Sequence, residues 1–224
     1  MANPGYMVAG ERTSCTIERN GAPLKTPGGA ALVLPTQNLA EAITEELRAE
    51  AKEKPLMQLA STAIDVVMKA RHKITDEIAA YAATELLCHR AEQPPELIKA
   101  QQDIWQPVLD WCAQRFGSLL RSGVGIMPIA QPEESLSALR AVVASFDDFR
   151  LTGLSEAVRI SGSLVLGLAL AERHFSAEQV FAAAELDALF QMEKWGEDPA
   201  VTARQESVKR DLAVCENWFG LLKQ

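Results

Sequence analysis

The apolar positions of the chain follow different periods before and after about residue 36. Before that point, β-favouring residues come in short runs broken by the turn pairs Asn20-Gly21 and Gly28-Gly29. Asn-Gly suits a two-residue hairpin turn and Pro27-Gly28 suits a type II turn, so we expect two or three antiparallel strands within residues 14–34. Strands this short need a helix to cover one face.

Helical spacing begins at Thr36 or Asn38, either of which can cap a helix. The apolar stripe that follows is Leu39, Ala42, Ile43, Glu46 and Leu47, with the acidic Glu46 inside it. After Pro55 the stretches MQLASTAIDVVMKA and ITDEIAAYAATELL predict two more helices, separated by the basic run at residues 69–73. The amino-terminal region is therefore predicted to be α+β.

Pro94-Pro95 is the predicted domain boundary, because no convincing alternating segment follows it. Beyond it we expect helices at about 95–117, 133–146, 150–173, 176–196 and 199–222, with Pro107 kinking or dividing the first. Ser176 with Gln179 forms a predicted capping box. The predicted architecture is a small α+β domain with antiparallel hairpins, residues 1–94, followed by an all-helical orthogonal bundle, residues 95–224.

The most apolar stretch, ISGSLVLGLALA, lies between Arg159 and Glu172. Spanning a bilayer takes about 20 apolar residues, so this stretch is too short for membrane insertion. A helix that is apolar all round is usually buried, and we expect a central core helix here.

Charge and composition narrow the class of partner. With 224 residues, 48% of them hydrophobic, the chain should fold, and 30 acidic against 22 basic residues leave a net charge of −8. An acidic protein is poorly attracted to nucleic-acid phosphate or anionic lipid, which favours a protein partner or a small ligand. The spacing of the four cysteines fits neither a disulfide framework nor a zinc site, so we expect reduced, mostly buried thiols. The amino-terminal residues do not resemble a signal or transit peptide, and the expected compartment is a reducing interior.

No catalytic motif is complete in the sequence. The glycine clusters at residues 28–29 and 123–125 lack the remaining residues of a phosphate-binding loop, and the three histidines are scattered. Ser161-Gly162-Ser163 lacks the strand-to-turn setting of a nucleophile elbow. We therefore expect no catalytic residue, no cofactor and no metal.

The segment QMEKWGED, residues 191–198, is the most unusual constellation. In one interpretation Gly196 caps the end of a helix and the acids favour the start of the next helix at Pro199. In the other, Trp195 and the neighbouring carboxylates form a contact spot for a partner protein.

Seven segments in one order carry a family resemblance: NGAPLKTPGGAALVLPTQNLAEAI, PLMQLASTAIDVV, IAAYAATELLCHRAE, WQPVLDWC, GIMPIAQPEESLSALR, SGSLVLGLAL and QMEKWGED. Together they resemble the assembly chaperone of the F-type ATP synthase α subunit, known in mitochondria as ATP synthase mitochondrial assembly factor 2. The resemblance covers about residues 14–198, and the residues after Asp198 match only loosely.

The resemblance implies a non-enzymatic chaperone that binds the free α subunit of the F(1) head and holds it, without ATP hydrolysis, until β subunits replace it. It further implies a monomer in the cytoplasm of a bacterium, the counterpart of the mitochondrial matrix in eukaryotic relatives. Acidic residues near the end of the penultimate helix matter in the family, and the matching positions are Glu193, Glu197 and Asp198. With Trp195, which is either an anchor or a core residue, they form the predicted partner-binding set.

One position departs from the family pattern, and two other functions stay open. Leu47-Arg48 stand where the family usually has a tryptophan followed by an acid. The alternatives are an adaptor for another complex and a small helical enzyme that uses carboxylates. An enzyme would show a deep concave site holding acids with strongly shifted pKa values.

Overall fold

A computed structural model describes residues 5–11, 13–49, 52–125, 127–196 and 198–223. Within them the strands are β1 (Tyr6–Glu11), β2 (Ser14–Arg19), β3 (Ala22–Pro23), β4 (Val33–Leu34), β5 (His89–Arg90) and β6 (Gly123–Val124). The helices are α1 (Gln37–Arg48), α2 (Pro55–Thr62), α3 (Met68–Ala80), α4 (Pro95–Phe116), α5 (Glu133–Ser145), α6 (Asp148–Ser161), α7 (Leu164–Ala171), α8 (Ala177–Ala184), α9 (Leu186–Trp195) and α10 (Pro199–Leu221). The fold is α+β, with a small antiparallel sheet first and helices after it, as predicted.

The chain divides into two compact units that do not follow one cut in the sequence. The first unit contains the chain up to Arg71, Phe146–Gly153 and the chain from Asn217 onward. The second contains His72–Ser145 and Leu154–Glu216. The boundary after residue 94 is a different division of the chain and stays a prediction.

The sheet of the first unit is built on β2. Strand β1 pairs with it antiparallel over its whole length, and β3 and β4 also pair with it antiparallel. The predicted Asn20-Gly21 hairpin turn is confirmed, with φ of 54° at Asn20 and 81° at Gly21 between β2 and β3. Strand β1 lies before the predicted strands and extends the sheet.

The turn at Pro27-Gly28 forms, but the type II prediction is wrong. Gly29 N–H donates to Thr26 O at 2.9 Å, and the positive φ lies at Gly29, 82°, rather than at Gly28. The Asp65 carboxylate explains the difference, because it accepts hydrogen bonds from Gly28 N–H and the Thr26 hydroxyl at 2.9 Å each. It occupies the space that a Cβ at Gly28 would need.

Helix α1 covers the sheet, as predicted. Its cap is Thr36, whose Oγ1 accepts a hydrogen bond from Leu39 N–H at 3.2 Å. The helix contacts β1, β2 and β4, and Leu39 and Ile43 are fully buried. At the family's tryptophan–acid position, Leu47 is half-buried and the Arg48 guanidinium donates to Tyr6 O at 2.5 Å.

The break predicted at the basic run, residues 69–73, is present as a kink between two helical segments and not as a loop. Helix α2 continues through a π-helical turn at Ala63–Val67 into α3. Ala70 has non-helical angles, φ −124° and ψ 24°, and bends the helix without ending it. Arg71, inside the run, donates to Asp148 Oδ1 at 2.6 Å. Its charge therefore stabilises packing against the start of α6 and does not mark a solvent-exposed linker.

Helix α7 is the core helix of the second unit. All eight of its residues are buried, which confirms the prediction for the apolar stretch. The single helix predicted over 150–173 is wrong, because Gly162 takes a φ of 69° and Ser163 caps a new helix, accepting from Leu166 N–H at 3.0 Å. Gly167 is needed for close packing, since a Cβ there would lie 2.6 Å from Val158 Cγ2.

The predicted helix over 176–196 is also divided. The Ser176 and Gln179 capping box is confirmed, but Glu185 has φ −100° and ψ 12° and separates α8 from α9. Helix α4, in contrast, is not divided at Pro107. A parallel pairing of β5 with β6 lies partly in the region predicted to be wholly helical.

No helix in the described part of the chain is long and apolar enough to cross a membrane.

Candidate functional site

The far end of helix α9 carries the predicted partner-binding residues. Its first residue, Leu186, is buried, whereas Glu193 and Trp195 are exposed, Trp195 by 79%. The helix ends at Gly196, whose φ is 93° and whose N–H donates to Met192 O at 2.9 Å, so the predicted glycine cap is confirmed. Trp195 is therefore not a core residue.

Asp198 begins the next helix. Its Oδ1 accepts a hydrogen bond from Ala200 N–H at 2.8 Å, and its carbonyl accepts from Thr202 N–H at 2.9 Å. This agrees with the expectation that acids here favour the start of α10 at Pro199. Glu197, the fourth member of the predicted set, lies outside the described residues.

The opposite end of α9 is held by side chains from distant parts of the sequence. The buried carboxylate of Glu185 accepts hydrogen bonds from the Arg204 guanidinium and from Gln205 Nε2, the latter at 3.4 Å. Trp105 Nε1 donates to Ala183 O at 2.8 Å, one turn earlier. These anchors were not predicted, because they follow from the tertiary fold and not from a local pattern.

A groove lies beside Trp195. Gln93, Pro94, Glu96, Phe190, Lys194 and Trp195 line a concave site of about 530 Å³. The Lys194 ammonium lies 5.5 Å from the centre of the Phe190 ring. Apolar walls with charged groups at the edge suit an apolar side chain of a partner protein.

Glu85, an acid whose pKa is raised, lies outside the groove beside Trp195. Burial raises the pKa of the Glu85 carboxyl, and hydrogen bonds from Ser163, Val165 and Leu87 oppose the rise. The Ser163 hydroxyl and Val165 N–H, at 3.2 Å, donate to it from the start of α7, and Leu87 N–H donates at 3.3 Å. Glu85 does not line the groove, and its contacts are those of a structural cap for α7.

The described residues contain no group of three or more His, Cys, Asp or Glu side chains placed to hold a metal ion. All four cysteines are buried, as expected, and none of them is disulfide-bonded. Burial raises the pKa of the Cys88, Cys112 and Cys215 thiols to about 12, so they stay protonated near neutral pH. The end of α9 and its groove can bind a side chain of a partner protein. The three thiols with raised pKa values offer no activated nucleophile.

Comparison with known proteins adds a family. The model of the ATP12 chaperone protein family matches residues 7–113. The structure of Atp12 from Paracoccus denitrificans is 34% identical, with 97% of this chain and 96% of that chain covered and a TM-score of 0.93. A point mutant of Atp12p from P. denitrificans gives 34% identity, 97% and 95% coverage and the same TM-score of 0.93. The Atu1473 protein from Agrobacterium tumefaciens is 31% identical, with 99% and 85% covered and a TM-score of 0.91.

Proposed function

The chain belongs to the ATP12 chaperone protein family, and from that premise we propose that it is a holding chaperone for ATP synthase assembly. Its client is the free α subunit of the F(1) head, which it binds until β subunits take its place. A free α subunit exposes apolar and sheet-edge surface that would otherwise aggregate.

The exposed Trp195 at the end of α9 is the observation that carries the proposal. A tryptophan exposed by 79% gains most from being covered by a partner, and tryptophan is enriched among residues that dominate binding. The exposed carboxylates of Glu193 and Asp198 lie in the same turn region, and Glu197 adds a third negative charge by sequence. We propose these four residues as the contact spot, with Trp195 as its apolar anchor.

Binding alone accounts for the mechanism. The acidic rim speeds the encounter with a client patch of opposite charge, and the apolar anchor sets the off-rate. The glycine clusters of the sequence serve turns and a short strand pairing, so we assign release to competition and not to hydrolysis. The larger interface that α forms with β supplies the free-energy difference.

The remaining parts of the proposal are a monomer that acts in the cytoplasm of a bacterium, without nucleic acid, cofactor or catalytic step. The net charge of −8 supports the exclusion of nucleic acid. Glu85, the carboxylate with a raised pKa, is fully buried and caps α7, which argues against the enzyme alternative.

The experiment is reconstitution with purified α subunit. Light scattering should show slower aggregation of α in the presence of the chaperone, and addition of purified β should release α from the complex. Equal aggregation with and without the chaperone would contradict the proposal, and retention of α after addition of β would contradict the release mechanism. Recovery of a different abundant partner from native cells would favour the adaptor.

Variants locate the contact. Trp195→Ala, Glu193→Gln and Glu197→Gln should each weaken α binding while the melting temperature stays nearly unchanged. Glu45→Gln, a neutralised exposed acid on helix α1, is the matched control and should bind like the unchanged protein. A fall in melting temperature with binding intact would make a tested residue structural.

A further inference from the structure

The loop between α4 and α5, residues 117–132, displays large apolar side chains to solvent. Val124 is exposed by 64% and Met127 by 74%, and Leu119 is also exposed. Single exposed apolar side chains are ordinary, and they mark a binding surface when they lie beside further apolar or concave surface.

Hydrogen bonds hold this loop in place. Ser118 Oγ donates to Ser135 O at 3.2 Å, and Ser135 Oγ donates back to Leu119 O at 2.9 Å. Arg121 N–H donates to Gln131 Oε1 at 2.8 Å, while Gln131 Nε2 donates to Arg121 O at 3.0 Å. The Leu119 and Val124 side chains are therefore presented by hydrogen-bonded backbone, which lowers the ordering cost of binding.

The loop leads directly to a second groove. Strand β6, which contains Val124, pairs with β5, and Gly125 N–H donates to Arg90 O at 2.9 Å. The next concave site, of about 540 Å³, is lined by Gly125 together with Glu92, Gln93 and Asp187. Glu92 packs against the loop, because a Cβ at Gly125 would lie 2.8 Å from its Oε1.

The two grooves form one face of the second unit. Gln93 lines both of them, so the surface runs from Gly125, which follows Val124 in the chain, past Glu92 and Gln93 to Trp195. We call this surface the loop–tip face. Exposed apolar groups stand at both of its ends.

The charge of the loop–tip face is acidic. Glu92, Glu96 and Asp187 line it, and the exposed Glu193 and Asp198 lie at its far end. These acids outnumber the two lining cations, Arg90 and Lys194, so the face keeps an excess of negative charge. The Arg90 guanidinium donates to Gln101 O at 2.7 Å and to Gln106 Oε1 at 3.2 Å, and Lys194 lies over the Phe190 ring. A complementary partner is therefore apolar with basic side chains.

We propose that the loop–tip face binds an extended segment of the client polypeptide in which apolar residues flank at least one lysine or arginine. The inference rests on the proposed chaperone function and names its docking surface. Two concave sites that share Gln93 suit an extended chain, whose side chains on one face repeat at about 6.6 Å. The apolar side chains cover Val124, Met127 and Trp195, and the basic group lies among Glu92, Glu96 and Asp187.

The apolar part is tested with two matched double variants. Val124→Thr with Met127→Gln makes the loop polar at nearly constant shape, and Val33→Thr with Met7→Gln does the same at an exposed valine and methionine of the sheet. The dissociation constant for free α subunit should rise roughly tenfold for the loop pair and less than twofold for the sheet pair. Equal affinities for both pairs overturn the proposal, and urea unfolding of each variant verifies that the fold is kept.

The charge part is tested with Glu92→Gln and Glu96→Gln together, against Glu45→Gln and Glu53→Gln as exposed controls in the first unit. The groove pair should slow association and flatten its dependence on salt concentration, and the control pair should do neither. An unchanged salt dependence for the groove pair overturns the basic character of the occupant.

Photo-crosslinking identifies the occupant. Benzoylphenylalanine in place of Met127 should crosslink to an extended client segment that contains lysine or arginine, whereas the same group in place of Met7 should not. Crosslinks from position 7 alone, or to a second copy of this chain, overturn the proposal. If the unchanged protein does not bind the α subunit, the chaperone function itself is refuted. If the variant with Val124→Thr and Met127→Gln binds α fully, only the loop–tip face is refuted.

Discussion

Two regions of the second unit use the same residue types for opposite purposes. In the core, Trp105 is buried and donates its Nε1 hydrogen to Ala183 O at 2.8 Å. At the end of α9, Trp195 is exposed and stands at the edge of a groove. The difference teaches that the effect of losing a tryptophan depends on what already covers it: Trp105 contributes to folding, whereas Trp195 is left available for the proposed contact.

The carboxylates of the second unit also include a buried kind and an exposed kind. Glu85 is buried and accepts hydrogen bonds from Ser163, Val165 and Leu87, which fixes the start of α7. Glu193 is exposed at the end of α9. An acid of the first kind is needed for stability, and an acid of the second kind is available to a partner.

The two tryptophans give the largest expected contrast. Trp105→Ala should lower the free energy of unfolding by about 3–5 kcal/mol, because it leaves a cavity and an unpaired Ala183 carbonyl. Trp195→Ala should change it by less than about 0.5 kcal/mol. Urea denaturation measures both, and similar losses would remove the distinction between core and contact surface.

Removing the buried carboxylate is the next test. Glu85→Ala should lower the free energy of unfolding by about 3 kcal/mol, because the Ser163 hydroxyl and two backbone N–H groups lose their acceptor inside the core. Glu193→Ala is the exposed control and should be nearly neutral in the same denaturation experiment. A neutral Glu85→Ala would show that water or another group replaces the carboxylate.

Asp198 caps α10 and also belongs to the proposed contact spot, and two substitutions separate these two roles. Asp198→Ala should cost about 1 kcal/mol of unfolding free energy, because Ala200 N–H loses its cap, whereas Asp198→Asn keeps the cap. If the negative charge contacts the client, Asp198→Asn should still weaken binding to α. Full binding by the asparagine variant would leave Asp198 as a helix cap alone.

The dependence of stability on pH sharpens the contrast between buried and exposed acids. The pKa of Glu85 is raised in the folded state by burial, above the 4.5 of an ordinary glutamate. As pH rises from about 4.5 towards the raised pKa, the unfolded state loses its proton first, so stability falls. The loss is complete once the pH exceeds the folded pKa.

Glu85→Gln is the comparison for this measurement. The difference in unfolding free energy between the unchanged protein and this variant should decrease with rising pH across that window. Cys88 and Cys112, which lie close enough for Glu85 to raise their pKa further, stay protonated throughout. A difference that does not change with pH would contradict the raised pKa.

Features set by neighbouring residues could be predicted from the sequence. The Asn20-Gly21 turn, the Thr36 cap and the Ser176–Gln179 capping box depend on contacts within a few residues, and each formed as expected. The buried α7 could be predicted because an apolar run has no other favourable place in a folded chain.

The breaks within the predicted helices could not be predicted as readily. Glu185 ends α8 through contacts with Arg204 and Gln205, far away in the sequence, and no local signal marks it. Gly162 and Ser163 did carry a local stop and cap signal, but the continuous apolar pattern outweighed it. Strand β1 shows no clean alternation, because Met7 faces solvent with 66% of its surface exposed.

The candidate site was only partly accessible from the sequence. QMEKWGED stood out because a tryptophan beside a terminal glycine and acids is unusual, and the exposure of Trp195 agrees with a contact role. Val124 and Met127 did not stand out, because an apolar residue in GVGIMPIAQP is as compatible with a core as with a surface. Their exposure depends on how residues 117–132 are held, which involves partners such as Ser135 and Arg90.

The discontinuous first unit has a consequence for synthesis on the ribosome. The Thr36 hydroxyl donates to Leu221 O at 2.7 Å, and Trp218 Nε1 donates to Phe149 O at 3.0 Å. The first unit therefore reaches its full set of contacts only after residues 217–223 have been synthesised. A nascent chain that lacks them cannot form these two hydrogen bonds, so the earliest-made part of the protein completes its contacts with the part that is made last.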